Sequence, residues 1–457
     1  MDDSTPTPDA LLEGTTRALD HRLAVEQSRG RVPSMTGAVV RGGATVWTGS
    51  RGRVEDGAPT PDTQYRIGSI TKTFVAVLVL RLRDEGRLGL DDALGDHLPD
   101  APVTDPTIAQ LLAHSSGLAA ETGAPWWERT DGAVRPDLAS LVAVPLLRGS
   151  GRRHHYSNVG FALLGALVGQ LRGRSWTAAL QAEILDPLGM ERTTYHAEPP
   201  HASGWAVHPW ADALLPEPAE DAGLMAPAGQ LWSTTADLGR FGTFLLHGDD
   251  GVLGADTVAE MRVPSAPAEP GAPLSSQGLG LQLLRHGTHD LVGHGGSMPG
   301  FLATLWIDPR EDLAGIVCAN ATSGPALGTT TADLLAIVAD REPALPATWV
   351  PAAPEPELLA LTGPWYWGAA PVALRAHGTD ELAVGGVGGG ARGSRFHRGP
   401  DGTWVGLDGY YAGETLRVLR GPDGAVSHLD IGSFVLTREP YAPADVVPGD
   451  VDPAGWR

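Results

Sequence analysis

The order of apolar and polar positions predicts both sheet and helix early in the chain. Residues 9–28 carry apolar side chains at helical spacing between charged ones, which predicts an N-terminal helix. Two apolar runs, 37–41 and 44–47, flank a Gly-Gly turn and predict an antiparallel hairpin. The run 74–82 is almost wholly apolar and is followed by a Glu-Gly pair, as expected of a buried helix that ends there. The pattern therefore predicts a sheet that begins near the N-terminus, followed by a buried helix.

Strand patterns return in the second half of the chain, after residues 100–250, which show mostly helix and loop patterns. Consecutive antiparallel strands, closed by a helix through 333–338, are predicted at 279–284, 291–294, 301–307 and 313–319. Because strands flank a helical middle, one sheet must collect strands from distant parts of the chain. The predicted fold class is α+β.

A proline-rich stretch predicts the boundary between two domains. Prolines crowd residues 346–356, which is typical of a linker. We therefore expect a first domain at 1–345 and a second at 357–457. In the second domain, short strand patterns alternate with Gly and Asp-Gly turns and carry several Trp and Tyr residues. This pattern predicts a small all-β barrel.

Composition and charge narrow the range of partners. The 457 residues carry a formal net charge of -21, which opposes binding to nucleic acid or to anionic membrane surfaces. The sequence has no run of 18 apolar residues and no signal-peptide pattern at residues 1–6, so we expect no membrane anchor and a cytoplasmic location. Cys318 is the sole cysteine and lies in an apolar run, which indicates a core side chain. A disulfide framework is excluded, and we expect neither a metal nor another cofactor.

Candidate chemistry starts with Lys72, the single lysine among 33 Lys and Arg residues, which stands three positions after Ser69. An ammonium can be driven to lose its proton by burial, whereas a guanidinium stays protonated. On a helix, positions i and i+3 share a face, so the Lys72 nitrogen can reach the Ser69 hydroxyl. The pair is predicted to be a nucleophile and its base. The alternative is a snorkelling lysine beside an N-capping serine.

Three segments in this order resemble the motifs of penicillin-binding-protein-like serine hydrolases. They are Ser69-x-x-Lys72, Tyr156-Ser157-Asn158 and His294-Gly295-Gly296-Ser297. Supporting segments that also resemble the class C β-lactamase family are 111–118, 187–190 and 228–234. The resemblance covers about residues 10–345. It implies a β-lactamase/transpeptidase-like fold, an antiparallel sheet flanked by helices plus a helical subdomain, and the second domain resembles the lipocalin-like domain of some family members.

The resemblance implies a role for each motif residue. Ser69 is the nucleophile that forms an acyl-enzyme, and Lys72 and Tyr156 share the general acid and base work. Because both side chains have unperturbed pKa values of about 10, we expect a Lys72 ammonium and a Tyr156 phenolate to stabilise each other and to titrate as a pair. Asn158 is implied to hold a substrate amide and Lys72. Its alternative role is that of a helix N-cap.

The segment from His294 departs from the Lys-Thr-Gly of many family members. Gly295 has no side chain and His294 is mostly neutral at pH 7, so the charge and hydroxyl that would hold a substrate carboxylate are missing. A histidine here resembles the aminopeptidase and esterase branches, and we expect it to assist proton transfer to the leaving group. The alternative is a strand histidine that is only hydrogen-bonded. Gly295 and Gly296 are expected to let substrate lie along the strand edge, with the backbone N–H groups of Ser69 and Ser297 as oxyanion hole.

Three functions remain open at this stage. The first is a serine hydrolase that cleaves a small ester or peptide amide through a Ser69 acyl-enzyme, with D-configured residues as one option. The second is a family peptide cyclase that delivers the acyl group to an amine, with a carrier-bound peptide as substrate. The third is a ligand-binding or sensor protein that does not turn over.

Overall fold

The protein is described by a computed structural model that covers residues 10–442, except for 56, 133–137, 142–150, 152, 267–274, 347, 352, 354, 389–391 and 400–401. The chain divides into two units, Met1–Leu345 and Pro346–Arg457. The predicted linker thus opens the second unit. The ends of the predicted domains, 1–9 and 443–457, lie outside the described residues.

The helices described in the first unit include three long ones that pack on the sheet and several short ones in the middle of the chain. They are α1 (Glu13–Arg29), α2 (Thr71–Asp84), α3 (Leu94–His97), α4 (Ile108–Leu112), α5 (Asn158–Arg172), α6 (Trp176–Leu180), α7 (Asp186–Leu188), α8 (Thr235–His247), α9 (Ala255–Met261) and α10 (Leu327–Arg341). Within the described residues, no helix has the length and apolar character needed to cross a bilayer.

The strands of the first unit form one large sheet and two small ones. They are β1 (Ser34–Arg41), β2 (Ala44–Gly52), β3 (Tyr65–Arg66), β4 (Trp205–Val207), β5 (Leu214–Pro216), β6 (Trp232–Ser233), β7 (Ser275–Gln277), β8 (Gln282–His286), β9 (His289–Met298), β10 (Phe301–Asp308) and β11 (Leu313–Ala319). The large sheet has seven strands in the order β2-β1-β11-β10-β9-β8-β7, and β3-β6 and β4-β5 form the small sheets. Every described pair in the large sheet is antiparallel, and β1 pairs with β11, far along the chain.

The large sheet is covered on both faces, because alternate residues of its central strands point to opposite cores. In β11, Ile316 and Cys318 pack in the core that contains α2, α5 and α8. Val317 and Ala319 pack in the core that contains α1 and α10. The predicted α+β fold is confirmed, and Cys318 is a buried core side chain as predicted.

The differences from the predicted elements are local. The strand predicted at 279–284 begins at Gln282, because Gly280 has a φ of +70° and donates its N–H to Leu112 instead of to a neighbouring strand. Neither of the two small sheets, β3-β6 and β4-β5, was predicted from the sequence. Strands of two or three residues are too short to show the alternation that identifies a strand.

The second unit is a closed antiparallel barrel preceded by helix α11 (Pro356–Leu361). Its strands are β12 (Gly363–Trp367), β13 (Ala370–His377), β14 (Glu381–Gly386), β15 (Ser394–Arg398), β16 (Trp404–Gly406), β17 (Thr415–Arg420), β18 (Val426–Ile431) and β19 (Phe434–Thr437). The predicted barrel is therefore confirmed, and it is closed, as expected of a lipocalin-like domain. Its core is packed with large buried side chains such as Trp365 and Phe396.

Candidate active site

Ser69 lies in a 3₁₀ turn, Gly68–Ile70, directly before α2. Two hydrogen bonds to Leu231 hold this turn in place. Ile67 donates its N–H to the carbonyl of Leu231 (2.9 Å), and the Leu231 N–H donates to the side-chain Oγ1 of Thr71 (3.2 Å). Gly68 has a φ of +52°, a conformation that glycine adopts without strain. The half-buried Ser69 side chain is thereby presented from a fixed backbone.

Lys72 is placed one helical turn further on, fully buried. Its Nζ donates to Ser69 Oγ (2.9 Å) and to the backbone carbonyl of Ala228 (2.6 Å). Burial lowers the pKa of Lys72 from its ordinary 10.5 to about 7, although the carboxylates of Glu121 and Glu128 oppose the shift. A neutral amine is therefore well populated at neutral pH, within reach of the Ser69 proton.

Tyr156 joins Ser69 and Lys72 to form a group of three side chains. Its phenol interacts with the side chain of Ser69, and its ring centroid lies 5.0 Å from Lys72 Nζ. Burial raises the pKa of Tyr156 above its ordinary value, and the charge of Glu121 adds to the rise. The directions of these two shifts run against the expectation that a Lys72 ammonium and a Tyr156 phenolate stabilise each other. Burial favours the neutral form of both groups, so Tyr156 holds its proton while Lys72 releases one.

Among the described residues Asn158 is neither the helix N-cap nor a hydrogen-bond partner of Lys72, and its expected contact with a substrate amide stays a prediction. The helix N-cap of α5 is Ser157, whose Oγ accepts from the Gly160 N–H (3.1 Å). The Asn158 amide donates to Glu121 Oε1 (2.6 Å), whereas the described hydrogen bonds of Lys72 go to Ser69 and Ala228. Because Asn158 is the first residue inside the helix, its side chain turns toward the loop that carries Glu121.

The end of β9 is a free sheet edge beside Ser69. Strand β8 pairs with β9 only as far as Gly293, so residues 294–298 have no partner on that side among the described strands. The Gly295 N–H donates across this edge to Gln282 Oε1 (3.2 Å), and the N–H of Ser297, two residues on, has the same direction. A Cβ on Gly68 would lie 2.5 Å from the Ser297 nitrogen, which shows how closely the Ser69 turn approaches β9. Ser69 and Ser297 thus line the same cleft, and an oxyanion hole formed by their backbone N–H groups stays a prediction.

His294 is buried next to this group, with its ring centroid 6.1 Å from that of Tyr156. Its Nδ1 lies 2.5 Å from the Gly295 carbonyl and therefore carries the proton, which leaves Nε2 as an acceptor with no hydrogen-bond partner among the described residues. Burial, with the charge of Lys72, lowers the pKa of His294 to about 3. A protonated His294 is disfavoured, so the geometry favours Tyr156 as the proton donor to a leaving group and His294 as a hydrogen-bond acceptor.

These residues line one open cleft with a volume of about 550 Å³. Its polar lining includes Ser69, Tyr156 and His294, and residues 294–297 of β9 line it as well. Leu302 and Leu327 line an apolar part. Among the described residues, no cluster of His, Cys, Asp or Glu has the arrangement of a metal site.

Comparison with known proteins identifies the family. The family described as Beta-lactamase matches residues 15–340. The chain belongs to the beta-lactamase family. A second family, described as Domain of unknown function (DUF7586), matches residues 354–438, within the barrel unit.

Relatives within the beta-lactamase family are distant. Beta-lactamase-like protein 2 of Dictyostelium discoideum is 27% identical over 275 residues, which cover 56% of this chain and 50% of that protein. The chain thus spans half the length of this curated relative. The solved structure of SurE with D-Leu is similar with a TM-score of 0.59 and 25% identity, covering 94% of this chain and 100% of SurE. D-amino acid amidase from Ochrobactrum anthropi SV3 has a TM-score of 0.58 and 26% identity, covering 72% of this chain and 100% of the amidase.

Two groups in this beta-lactamase-family site were missed in the sequence. The carbonyl of Ala228 accepts from Lys72, but a backbone acceptor has no sequence signal beyond its place in the segment 228–234, which the resemblance identified. Glu121 binds Asn158 and also accepts from Trp127 Nε1 (2.8 Å). Glu121 lies in an irregular loop, and its one sequence signal is its place a few residues after the segment 111–118.

Replacing Gly296 by alanine is expected to separate the two halves of the oxyanion hole. The added Cβ would lie 1.9 Å from the Ile67 carbonyl oxygen and 3.1 Å from the Ser69 nitrogen, so the Ser69 turn must move away from β9. Loss of one oxyanion donor lowers kcat by about 10²- to 10³-fold, and we expect a fall in kcat/KM of that size. Steady-state kinetics with an activated ester checks it. Gly14→Ala, where nothing lies within 4 Å of the new Cβ, is the control, and an equally active Gly296→Ala would contradict this placement of the oxyanion hole.

Proposed function

We propose that this chain is a serine amidohydrolase that cleaves small amides and esters of amino acids, D-aminoacyl amides in particular, through an acyl-enzyme on Ser69. The observation that carries the proposal is the buried Lys72 amine, hydrogen-bonded to Ser69 at 2.9 Å, with a pKa lowered to about 7. A pure binding protein has no need of a buried amine that is ready to accept a proton from a serine. Two similar structures are a D-amino acid amidase and a protein solved with D-Leu, which supports the choice of acyl group.

The proposed acylation balances its protons within the three side chains. The neutral Lys72 amine takes the proton of Ser69 Oγ while Oγ bonds to the carbonyl carbon. The carbonyl oxygen gains the negative charge and accepts from the N–H groups of Ser69 and Ser297. Tyr156 gives its proton to the leaving nitrogen as the C–N bond breaks, and the proton held by Lys72 restores the phenol. Water then attacks the ester by the reverse set of transfers and releases the acid.

The charges around Lys72 support a substrate with a free amino group. Glu121 and Glu128 lie close enough to the site to raise the pKa of Lys72. Neither carboxylate forms an ion pair with a described Arg, Lys or His side chain. Each accepts from a neutral indole instead, Glu121 from Trp127 and Glu128 from Trp126. The charges of Arg66 and Lys72 act on Glu128 without a direct ion pair, and a substrate ammonium would supply one to these carboxylates.

A second candidate is transfer of the same acyl group to an amine instead of water, with a carrier-bound peptide as donor. One observation favours it: the family's peptide cyclases, which the sequence resembles, also combine this fold with a lipocalin-like domain, and the second unit of this chain is a closed barrel. The chemistry at Ser69 is unchanged, because only the acceptor differs. Product analysis in the presence of added amines separates the two functions.

The test is intact-mass detection of a Ser69 adduct together with product release, using nitrophenyl esters and D- and L-aminoacyl amides. We expect an adduct that turns over, faster with D- than with L-aminoacyl amides. Preferential peptide formation with an added amine would select the transferase candidate. An adduct that forms once without product release, or no adduct with any ester or phosphonate probe, would overturn the enzyme function and favour a sensor.

Glu121→Gln is expected to lower kcat/KM about 10- to 100-fold for aminoacyl amides, because the amide side chain loses a charge-assisted hydrogen bond to the substrate ammonium. N-acetylated versions of the same amides carry no ammonium, and their hydrolysis should change little. Competing both substrates against wild type and variant measures the difference. Glu13→Gln, an exposed change on α1, is the control. Equal losses for free and acetylated amides would contradict recognition of the amino group.

A further inference from the structure

His114 is a buried histidine that the proposed chemistry does not use, although it belongs to the segment 111–118 that the resemblance identified. It does not line the active-site cleft. Its backbone has a φ of +54°, a left-handed conformation that few non-glycine residues adopt. Such strain persists only where the surroundings hold it in place, and it is frequent at functional sites.

Besides its ring contacts with Phe161 and His154, His114 contacts three consecutive residues centred on Tyr156. The ring centroid of His114 lies 4.1 Å from that of Tyr156, at an interplanar angle of 31°. On one side of Tyr156, the His155 N–H donates to the His114 backbone carbonyl (2.7 Å). On the other side, the Ser157 N–H donates to His114 Nδ1 (3.0 Å). His114 therefore holds the backbone before and after Tyr156 and contacts the ring between them.

The protonation state of His114 is set by these contacts. Because Nδ1 accepts from Ser157, the proton of the neutral ring is on Nε2. Nε2 is buried and has no hydrogen-bond partner among the described residues, which is an unfavourable arrangement for a donor. Burial, with the charge of Lys72, holds the pKa of His114 well below its ordinary value, so the ring stays a neutral acceptor. His114 thus combines two unfavourable features, a left-handed backbone and an unsatisfied Nε2–H, with contacts to Tyr156 and to the residues before and after it.

We propose that His114 is a positioning residue that fixes the phenol of Tyr156 against Ser69. This inference rests on the proposed function and extends it to a residue outside the cleft. The Tyr156 phenol must reach both Ser69 and the leaving group, and a displacement of about 1 Å far from the chemistry can cost about 10²-fold in rate. Because His114 does not touch substrate, its loss should act on kcat and leave KM nearly unchanged.

Three variants separate the contacts. His114→Ala removes the acceptor and the ring. His114→Asn keeps an acceptor near the Ser157 N–H and tolerates the left-handed backbone, as asparagine commonly does. His114→Phe keeps an aromatic ring against Tyr156 but has no acceptor. His428→Ala removes a buried histidine of the barrel and serves as the matched control.

The measurement is kcat and KM for each variant with an aminoacyl amide, alongside the thermal midpoint and the pH dependence of kcat. We expect His114→Ala and His114→Phe to lower kcat about 10- to 100-fold at nearly constant KM, with His114→Asn recovering most of the rate. Tyr156 must keep its proton for turnover. The pH at which it loses that proton should differ in the slow variants, because the phenol is displaced from its wild-type surroundings. His428→Ala should keep wild-type kcat.

Several results would overturn the inference. If His114→Asn were as slow as His114→Phe, the hydrogen bond that residue 114 accepts from Ser157 would have no role in positioning Tyr156. Loss of activity in proportion to loss of folded protein, with unchanged kcat per folded molecule, would show a purely structural role. An active wild type whose three variants all keep its kcat would refute the positioning role and leave the proposed function standing, whereas an inactive wild type would overturn both.

Discussion

Ser69→Ala is expected to lower kcat/KM for ester and amide substrates by at least about 10⁴-fold, the largest effect of any single change in this chain. The Ser69 hydroxyl accepts a hydrogen bond from Lys72, interacts with Tyr156 and lines the cleft together with Ser297. Without it no acyl-enzyme forms, and water must attack directly. The folded state should change little, since Ser69 is half-buried and leaves only a small void.

Kinetics and intact mass together test this expectation. Wild type should gain the mass of the acyl group under substrate turnover, and Ser69→Ala should gain none. Ser265→Ala, an exposed serine of the same unit, is the matched control. A Ser69→Ala enzyme that keeps wild-type activity would show that another group carries the chemistry and would remove the basis of the proposed function.

Lys72→Arg is expected to lower kcat/KM by about 10³-fold or more, although the charge of the residue is kept. The guanidinium stays protonated at all accessible pH values and cannot take the Ser69 proton. It is also larger than the ammonium, in a fully buried site where Nζ already contacts Ser69 and Ala228. The wild-type kcat/KM should rise with pH through about 7, because Lys72 loses its proton there. This rise should be absent from the residual activity of the variant, and an unchanged profile would exclude Lys72 as the base.

The same pKa shift links Lys72 to stability. In the unfolded chain the amine keeps its proton up to its ordinary pKa of 10.5, whereas in the folded protein it releases the proton near 7. Between these values the unfolded state binds more protons, so the Lys72 contribution to the free energy of unfolding becomes more favourable as pH rises. Lys72→Met, which cannot titrate, should lose this component of the pH dependence, as measured by urea unfolding at pH 7 and pH 9.

Much of the fold could be predicted because long elements have strong patterns. The apolar run that became α2 is buried on nearly every side, and β10 and β11 follow the predicted strands closely. The prediction for β9 stopped at His294, although the strand continues to Met298. Gly295 and Gly296 have no side chain to show alternation, so the part of the strand that borders the site was the part least visible in the pattern.

The sequence by itself determined the family, the two kinds of domain and the identity of the nucleophile and base candidates. A single lysine three residues after a serine, and two further motifs in order, are local facts that need no coordinates. The electrostatics came from the tertiary structure alone. Burial among atoms from distant segments lowers the pKa of Lys72 and raises that of Tyr156, and the packing of distant loops places Glu121 against Asn158. Desolvation depends on everything packed around a group, and no pattern along the chain records it.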